Sequence, residues 1–555
     1  MKRVVALLLL AGCPRPAPVA PTPPPLSGPA YAHYVRGRVA AYEGDYALAA
    51  EELRAAAAAA PDEPRIEVER IRALVKAGRK VDARAAITAA ERRWPQSVDV
   101  WIVDGDLARA RGALADARTA YERATSIDPS REEAYLGLAQ AYAGLHRNDL
   151  AEATWKQLLE HVPDSIEGHF RLGERLAETD PHGAEQHLRA VLEQNPDHID
   201  ARLDLAHVLR ATGRLPDAIA ETRRAFDRAG ATIDIGEELF WLLLEADDRV
   251  GALDLLGLYD APDIAVEVRV IASRLYLSID ELASARAQAE AALAAEPSSG
   301  EAALALARVE RAAGDRDGAR TRAEAIPSTS PAYGAARALA AELALDGGDA
   351  DRAITIVEPA RAAAPTDPEL LLLYARALAA RNRAADARAA IAAAVRAKPD
   401  DAALLFTWAQ FEDAVGETDQ AIAVIDRLLA AHPDHVDALN LAGFALAEKG
   451  VELDRAEKLL ARARALAPGD PLVLDSWGWL LHKRGRDRDA AAALDRATRA
   501  APRQPEILLH LGEVRAALGD PAGARKALEA ARALSPPPAL AKRIDARLAA
   551  LPARP

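Results

Sequence analysis

Proline returns along this chain at an almost constant interval. Pro61, Pro95, Pro129, Pro163 and Pro196 stand 34, 34, 34 and 33 residues apart. Pro297, Pro331, Pro365, Pro399, Pro433, Pro468, Pro502 and Pro536 continue at 34, 34, 34, 34, 35, 34 and 34. The gap from Pro196 to Pro297 is 101 residues, or three periods, so fifteen units end at Pro536. A fixed period of this length means one supersecondary unit repeated, each too small to bury its apolar face without its neighbours. A second marker lies twelve residues before each terminal position, where all fifteen units carry alanine, from Ala49 and Ala83 to Ala490 and Ala524. That invariance predicts a close helix crossing, because a larger side chain there would push the axes beyond their usual separation of about 8–10 Å.

Composition says which element repeats. Half of the 555 residues are apolar, 28% are charged and only 4% are aromatic. Alternating Val/Ile runs are almost absent, which suits stacked helices and not sheets. Each unit is therefore expected to be a helix, a turn, and a second helix stopped near the proline. Glycine marks the turn in many units, as at Gly44, Gly78, Gly112, Gly213, Gly314, Gly416, Gly485 and Gly519. Residues 231–331 are the irregular part: the unit around Phe240 and Trp241 lacks its proline, and Pro327 interrupts a later second helix early. The apolar run Phe240, Trp241, Leu242, Leu243 and Leu244 marks the place for a bend or a second interface. Beyond Pro536, Leu540, Ile544, Leu548 and Leu551 recur at helical spacing among Lys542, Arg543, Asp545 and Arg547, which predicts a capping helix within 537–555.

The N-terminus is organised differently. Lys2 and Arg3 precede an apolar run over 4–10 that is too short to span a bilayer, so residues 1–12 are expected to be a targeting segment. The run leads into Leu10, Ala11, Gly12 and Cys13. Cys13 is the single cysteine, which excludes an intramolecular disulfide and a cysteine metal cluster. Residues 13–29 then form a proline-rich tether, able in polyproline geometry to extend about 50 Å.

One unit carries Trp101, Gly105, Gly112, Ala117, Tyr121, Ala124 and Pro129; the next carries Tyr135, Leu138, Ala139, Tyr142, Ala151, Trp155 and Pro163. This pattern resembles tetratricopeptide repeats, and the resemblance extends over about residues 30–536. It implies an all-α fold: a right-handed superhelical solenoid of about fifteen helix pairs with a C-terminal capping helix, whose work is binding other proteins. The tetrad ending at Cys13 resembles the lipobox of bacterial lipoproteins, which implies cleavage before Cys13 and acylation of its thiol. Pro14 in place of an aspartate further implies the outer membrane, with the body lipid-anchored in the periplasm of the cell envelope.

The remaining patterns exclude other classes of function. A formal charge of −14, with Lys and Arg dispersed among Asp and Glu, leaves no basic stripe for nucleic acid. There is no HExxH, no phosphate-binding GxxxxGK[ST] and no GxSxG, and the repeats leave no stretch for a catalytic domain. The chain is accordingly expected to be no enzyme and to need no cofactor or metal. His432 and His435 flank Pro433 without further ligands close by, as turn residues do.

What remains is surface. In tetratricopeptide proteins ligands lie in the concave groove of the first helices. The fifth slot of those helices is apolar in most units, as at Val68, Ile102, Leu136, Phe170, Leu203 and Leu304, with Glu237, Asn440 and Asp475 as polar exceptions. That departs from the carboxylate-clamp members of the family, and suits helical or extended segments with apolar anchors. Some of the same side chains are equally readable as core against the next unit.

The C-terminal units are the richest. They contain Asn440, Leu441, Ala442, Gly443 and Phe444, then Leu474, Asp475, Ser476, Trp477, Gly478 and Trp479. This is similar to the paired repeats of proteobacterial outer-membrane tetratricopeptide lipoproteins. Some of those are adaptors that bring a carboxy-terminal processing protease to cell-wall hydrolases; others help assemble pili, envelope proteins or exopolysaccharide machinery. Trp477 falls at the slot that packs inside its unit, whereas Asn440, Phe444, Asp475, Trp479 and His482 fall at groove slots and are the candidate partner contacts. Adaptor and assembly subunit both stay open, as does self-association. The implied partners are one or more proteins and, through the lipid, a membrane.

Overall fold

The computed structural model describes residues 28–534 and 536–552; the expected targeting segment, Cys13 and the expected tether up to residue 27 lie outside the described residues. Among the described residues every regular element is helical, with 31 α-helices, one 3-10 turn and no strand. The helices pair from Gly28–Tyr42 with Tyr46–Ala59 through to Pro505–Ala517 with Pro521–Ala533, and Pro538–Ala550 follows alone. The chain thus adopts the all-α repeat fold of fifteen pairs and a final helix that its register predicts. None of the described helices is long and apolar enough to cross a membrane.

Two compact units share the pairs, residues 1–252 and 253–555. The division falls in the seventh pair, one of two whose terminal position holds no proline. Its second helix, Arg249–Gly257, shortens to 9 residues and passes into the 3-10 turn Leu258–Asp260.

Inside each unit one packing rule repeats. None of the fifteen marker alanines is more than 1% exposed. One turn further along the second helix, a large side chain is received by a glycine of the first helix. In the first unit Gly173 faces Leu188, and in the second Gly478 faces Leu494, where a Cβ on the glycine would stand 2.8 Å and 2.7 Å from the leucine Cγ. Tyr121 is held between Gly105 and Gly137, the first helices of its own pair and the next. Its hydroxyl donates to Asp106 over 2.7 Å. Burial first, and then that carboxylate, push its phenol well above the ordinary range.

The terminal prolines also join successive pairs. The Trp101 indole N–H donates to the carbonyl of Pro95 over 3.0 Å, the Arg202 guanidinium to that of Pro196 over 2.6 Å, and His169 Nε2 lies 2.9 Å from the Pro163 carbonyl oxygen. Each bond satisfies a carbonyl near a helix end that the helix itself leaves orphaned.

The turn inside a pair does not depend on glycine. Where glycine is missing, His146, Asp247, Asp280 and Asn382 take the same left-handed conformation, with φ of 58°, 60°, 62° and 59°. A non-glycine residue there costs about 1–2 kcal/mol, so the packing of the pair imposes the turn. At the far end of the second unit, Leu540 and Ile544 of the final helix close the stack against Leu508 and Leu528.

Candidate functional site

Three first helices of the second unit bear the C-terminal candidates: Val436–Lys449, Pro471–Lys483 and Pro505–Ala517. Their starts are fixed locally. The His435 ring nitrogen accepts from the Ala438 N–H over 3.2 Å, and the Asp470 carboxylate accepts from the N–H groups of Leu472 and Val473. His435 is therefore a helix cap. Among the described residues no group of three or more His, Cys, Asp or Glu is placed to hold a metal ion.

The three helices bring together an aromatic and ionic cluster. The indole of Trp479 stacks on the imidazole of His510 with centroids 4.5 Å apart and planes at 26°. Phe444, two pairs before His510, reaches the same imidazole at 5.9 Å. Trp479 Nε1–H donates to the Glu448 carboxylate over 2.5 Å, and the Lys483 ammonium lies 4.9 Å above the indole and 3.4 Å from Glu448. Beneath the rings, His510 Nδ1 lies 2.9 Å and 3.0 Å from the two oxygens of Asp475.

Electrostatics follow from this geometry. Burial opposes a charged imidazole at His510, but Asp475, with a smaller contribution from Glu513, outweighs it and lifts the titration above the ordinary value. Burial likewise opposes ionisation of Glu448, and is outweighed by the Trp479 N–H together with Lys483 and His510, which hold its carboxyl below the usual range.

The five sequence candidates are thus placed close together but not alike. Trp479 is 3% exposed and Asp475 7%, so they form the floor of the cluster. Asn440 and Phe444 are half-buried, and the Oδ1 of Asn440 is enclosed without a hydrogen-bond partner. His482 sits at the edge, its ring 5.2 Å from Trp479 and its Nδ1 2.6 Å from Asp487. Sequence reasoning did not single out His510, Glu448 or Lys483. His510 lies one position after Leu509, the fifth-slot residue of its helix, and only a stacked third pair brings it to residues 35 and 31 positions earlier. The one available signal was a histidine in an otherwise apolar stretch, Ile507, Leu508, Leu509, His510, Leu511.

One tetratricopeptide-repeat model matches residues 108–169, 175–232 and 344–405, and a second matches 68–132, 406–471 and 476–537. Together they span more than half of the chain. A TPR repeat-containing protein of Pseudomonas aeruginosa is 38% identical over 80 residues; the match spans 14% of this chain and 13% of that relative's length. Among solved structures, a chain of the Cut9–Hcn1 hetero-tetramer of APC/C aligns with 79% of this chain and 87% of its own, at 16% identity and a TM-score of 0.34. YrrB, described as a TPR protein with an unusual peptide-binding site, aligns with 36% of this chain and 98% of its own, at 18% identity and a TM-score of 0.29. Tetratricopeptide repeats generally mediate protein–protein interaction. The invariant alanine, the paired helices and the repeat matches agree, and the chain belongs to the tetratricopeptide-repeat family.

Proposed function

We propose that this chain is a membrane-anchored scaffold that holds a segment of another protein against the cluster of its last three pairs. The observation that carries the reading is Phe444, half-buried on a platform backed by the buried rings of His510 and Trp479. Aromatic platforms of this kind are where binding energy concentrates at interfaces. Anchorage rests on the charged, apolar and small residues that lead to Cys13, and would hold the scaffold at the outer membrane with its body in the periplasm.

The role that fits is an adaptor that recruits a periplasmic protease or cell-wall enzyme to its targets. The alternative is a structural subunit of an envelope export, pilus or exopolysaccharide machine. The experiment is crosslinking in membranes from the intact chain, beside Cys13→Ser and Phe444→Ala. The adaptor reading expects a protease or hydrolase whose yield falls with Phe444→Ala, and Cys13→Ser released from the membrane fraction. Partners drawn only from an assembly apparatus would sink the adaptor role, and equal fractionation of both Cys13 forms would sink the anchor.

A further inference from the structure

The first unit carries a cleft that this reading does not use. It lies along the second helix of the second pair, Lys80–Arg93, and against the first helix of the third, Val98–Ala110, and has a volume of about 700 Å³. Its floor is apolar: Val75, Ala85, Ala89 and the recessed Leu107. Val81, at its mouth, is 83% exposed. Among the first seven pairs it occurs once: the slots of Val81, Ala85 and Ala89 hold at least one polar side chain in each of the other six, such as Glu51, Arg123, Asp149 or Arg224. The eighth pair, with Ala283, Ala287 and Ala291, and the eleventh, with Ala385, Ala389 and Ala393, are apolar at the same slots but carry only alanine.

The cleft also has a charge of one sign. Lys80, Arg84 and Arg92 line it, and none of the three makes an ion pair within 4.0 Å among the described residues, although Arg84 lies near enough to Glu91 and Asp104, and Arg92 to Glu91, to favour their ionised forms. Arg111, the fourth cation of the lining, is matched by Asp116 at 2.7 Å, and Arg79 beside the cleft by Asp82. An apolar trough rimmed by four cations, three of them without an ion pair, in a chain of net charge −14 is complementary to an amphipathic, acidic ligand.

We propose that this cleft is a second docking surface, and that its occupant is an acidic amphipathic helix of a partner protein. Lys80–Arg93 is about 21 Å long, the length of a helix of three to four turns. An apolar face of that length would fill the trough between the two helices and place flanking carboxylates at Arg84 and Arg92. A flat bilayer would touch Val81 but leave the recessed Leu107 uncovered.

The test uses the full chain and a fluorescent synthetic helix with leucines on one face flanked by glutamates, its lysine counterpart, and phosphatidylglycerol vesicles. The glutamate helix is expected to bind and the lysine helix not to. Binding should weaken about tenfold or more in Arg84→Glu/Arg92→Glu, and should fall with added salt. Arg123→Glu, exposed on the next pair, should leave it unchanged, and thermal melting should show both variants folded. A photo-crosslinker on the leucine face should attach within 80–93. Failure of the glutamate helix to bind, equal loss with Arg123→Glu, or crosslinks confined to the last three pairs would overturn the proposal. Vesicle binding that depends on Arg84 and Arg92 would also overturn it, in favour of a lipid surface.

Discussion

Arg503 donates to the carboxylate of Asp280 over 2.8 Å, although 223 positions separate them. Asp280 sits in the turn inside the eighth pair and Arg503 in the connection between the fourteenth and the fifteenth, both in the second unit. Turns inside pairs and connections between pairs lie on opposite edges of a helical stack, so their meeting means that this unit coils far enough for one edge to reach the other. Both side chains are about half exposed, and such a pair contributes about 0–1 kcal/mol. Arg503→Glu should therefore barely move the melting temperature while lengthening the distance between spin labels on the eighth and fifteenth pairs. Exchanging the charges with Asp280→Arg/Arg503→Asp should restore it; an unchanged distance distribution in Arg503→Glu would show that the edge contact does not hold the coil.

The Asp475–His510 pair makes stability depend on pH with a definite sign. The folded-state titration of His510 is raised above the ordinary 6.5, so its contribution is complete below that value and disappears as pH rises through the folded one. Glu448 is lowered from 4.5, and its contribution is present above that value and disappears as pH falls through the folded one. Denaturant titrations across the pH range should show His510→Gln losing the alkaline slope and Glu448→Gln losing the acid one. A wild-type slope retained in His510→Gln would assign the effect to other groups.

Gly478 and Gly485 are both glycines of the fourteenth pair, for different reasons. A Cβ at Gly478 meets Leu494 Cγ at 2.7 Å and the Ala490 carbonyl oxygen at 3.2 Å. Gly478→Ala should cost about 1–3 kcal/mol by overpacking. Gly485 has open space around it but a φ of +74°, and Gly485→Ala should cost about 1–2 kcal/mol through the backbone alone. Adding Leu494→Ala should relieve the first variant and leave the second unrelieved, as measured by a double-mutant cycle.

Phe444 and Trp479 should separate binding from folding. Phe444 is half-buried, and Phe444→Ala should weaken partner binding with a modest loss of stability. Trp479, 3% exposed, should cost about 3–5 kcal/mol as Trp479→Ala. Trp479→Phe keeps much of the volume but removes the N–H that reaches Glu448, and its pH profile should lose part of the acid-side contribution of that carboxylate, the remainder being held by Lys483 and His510. Calorimetric binding beside thermal melts would distinguish the two positions.

The proline and alanine period determined the repeat and the number of pairs, composition made the repeat helical, and the spacing of Leu540, Ile544, Leu548 and Leu551 gave the final helix, because each of these signals is local to one unit. It also located the weak seventh pair, where the missing proline coincides with a shortened helix and the division at Ala252. Cys13 and the tether stay readings of sequence, outside the described residues. Three things were decided only by tertiary structure. Trp479 and Asp475 turned from groove slots into a floor, His510 joined them from the next pair, and Lys80, Arg84 and Arg92 came to rim one apolar cleft. The physical reason is the same for each. A slot number says which way a side chain leaves its helix, whereas burial, ion pairing and unmatched charge depend on what the neighbouring pair places opposite it.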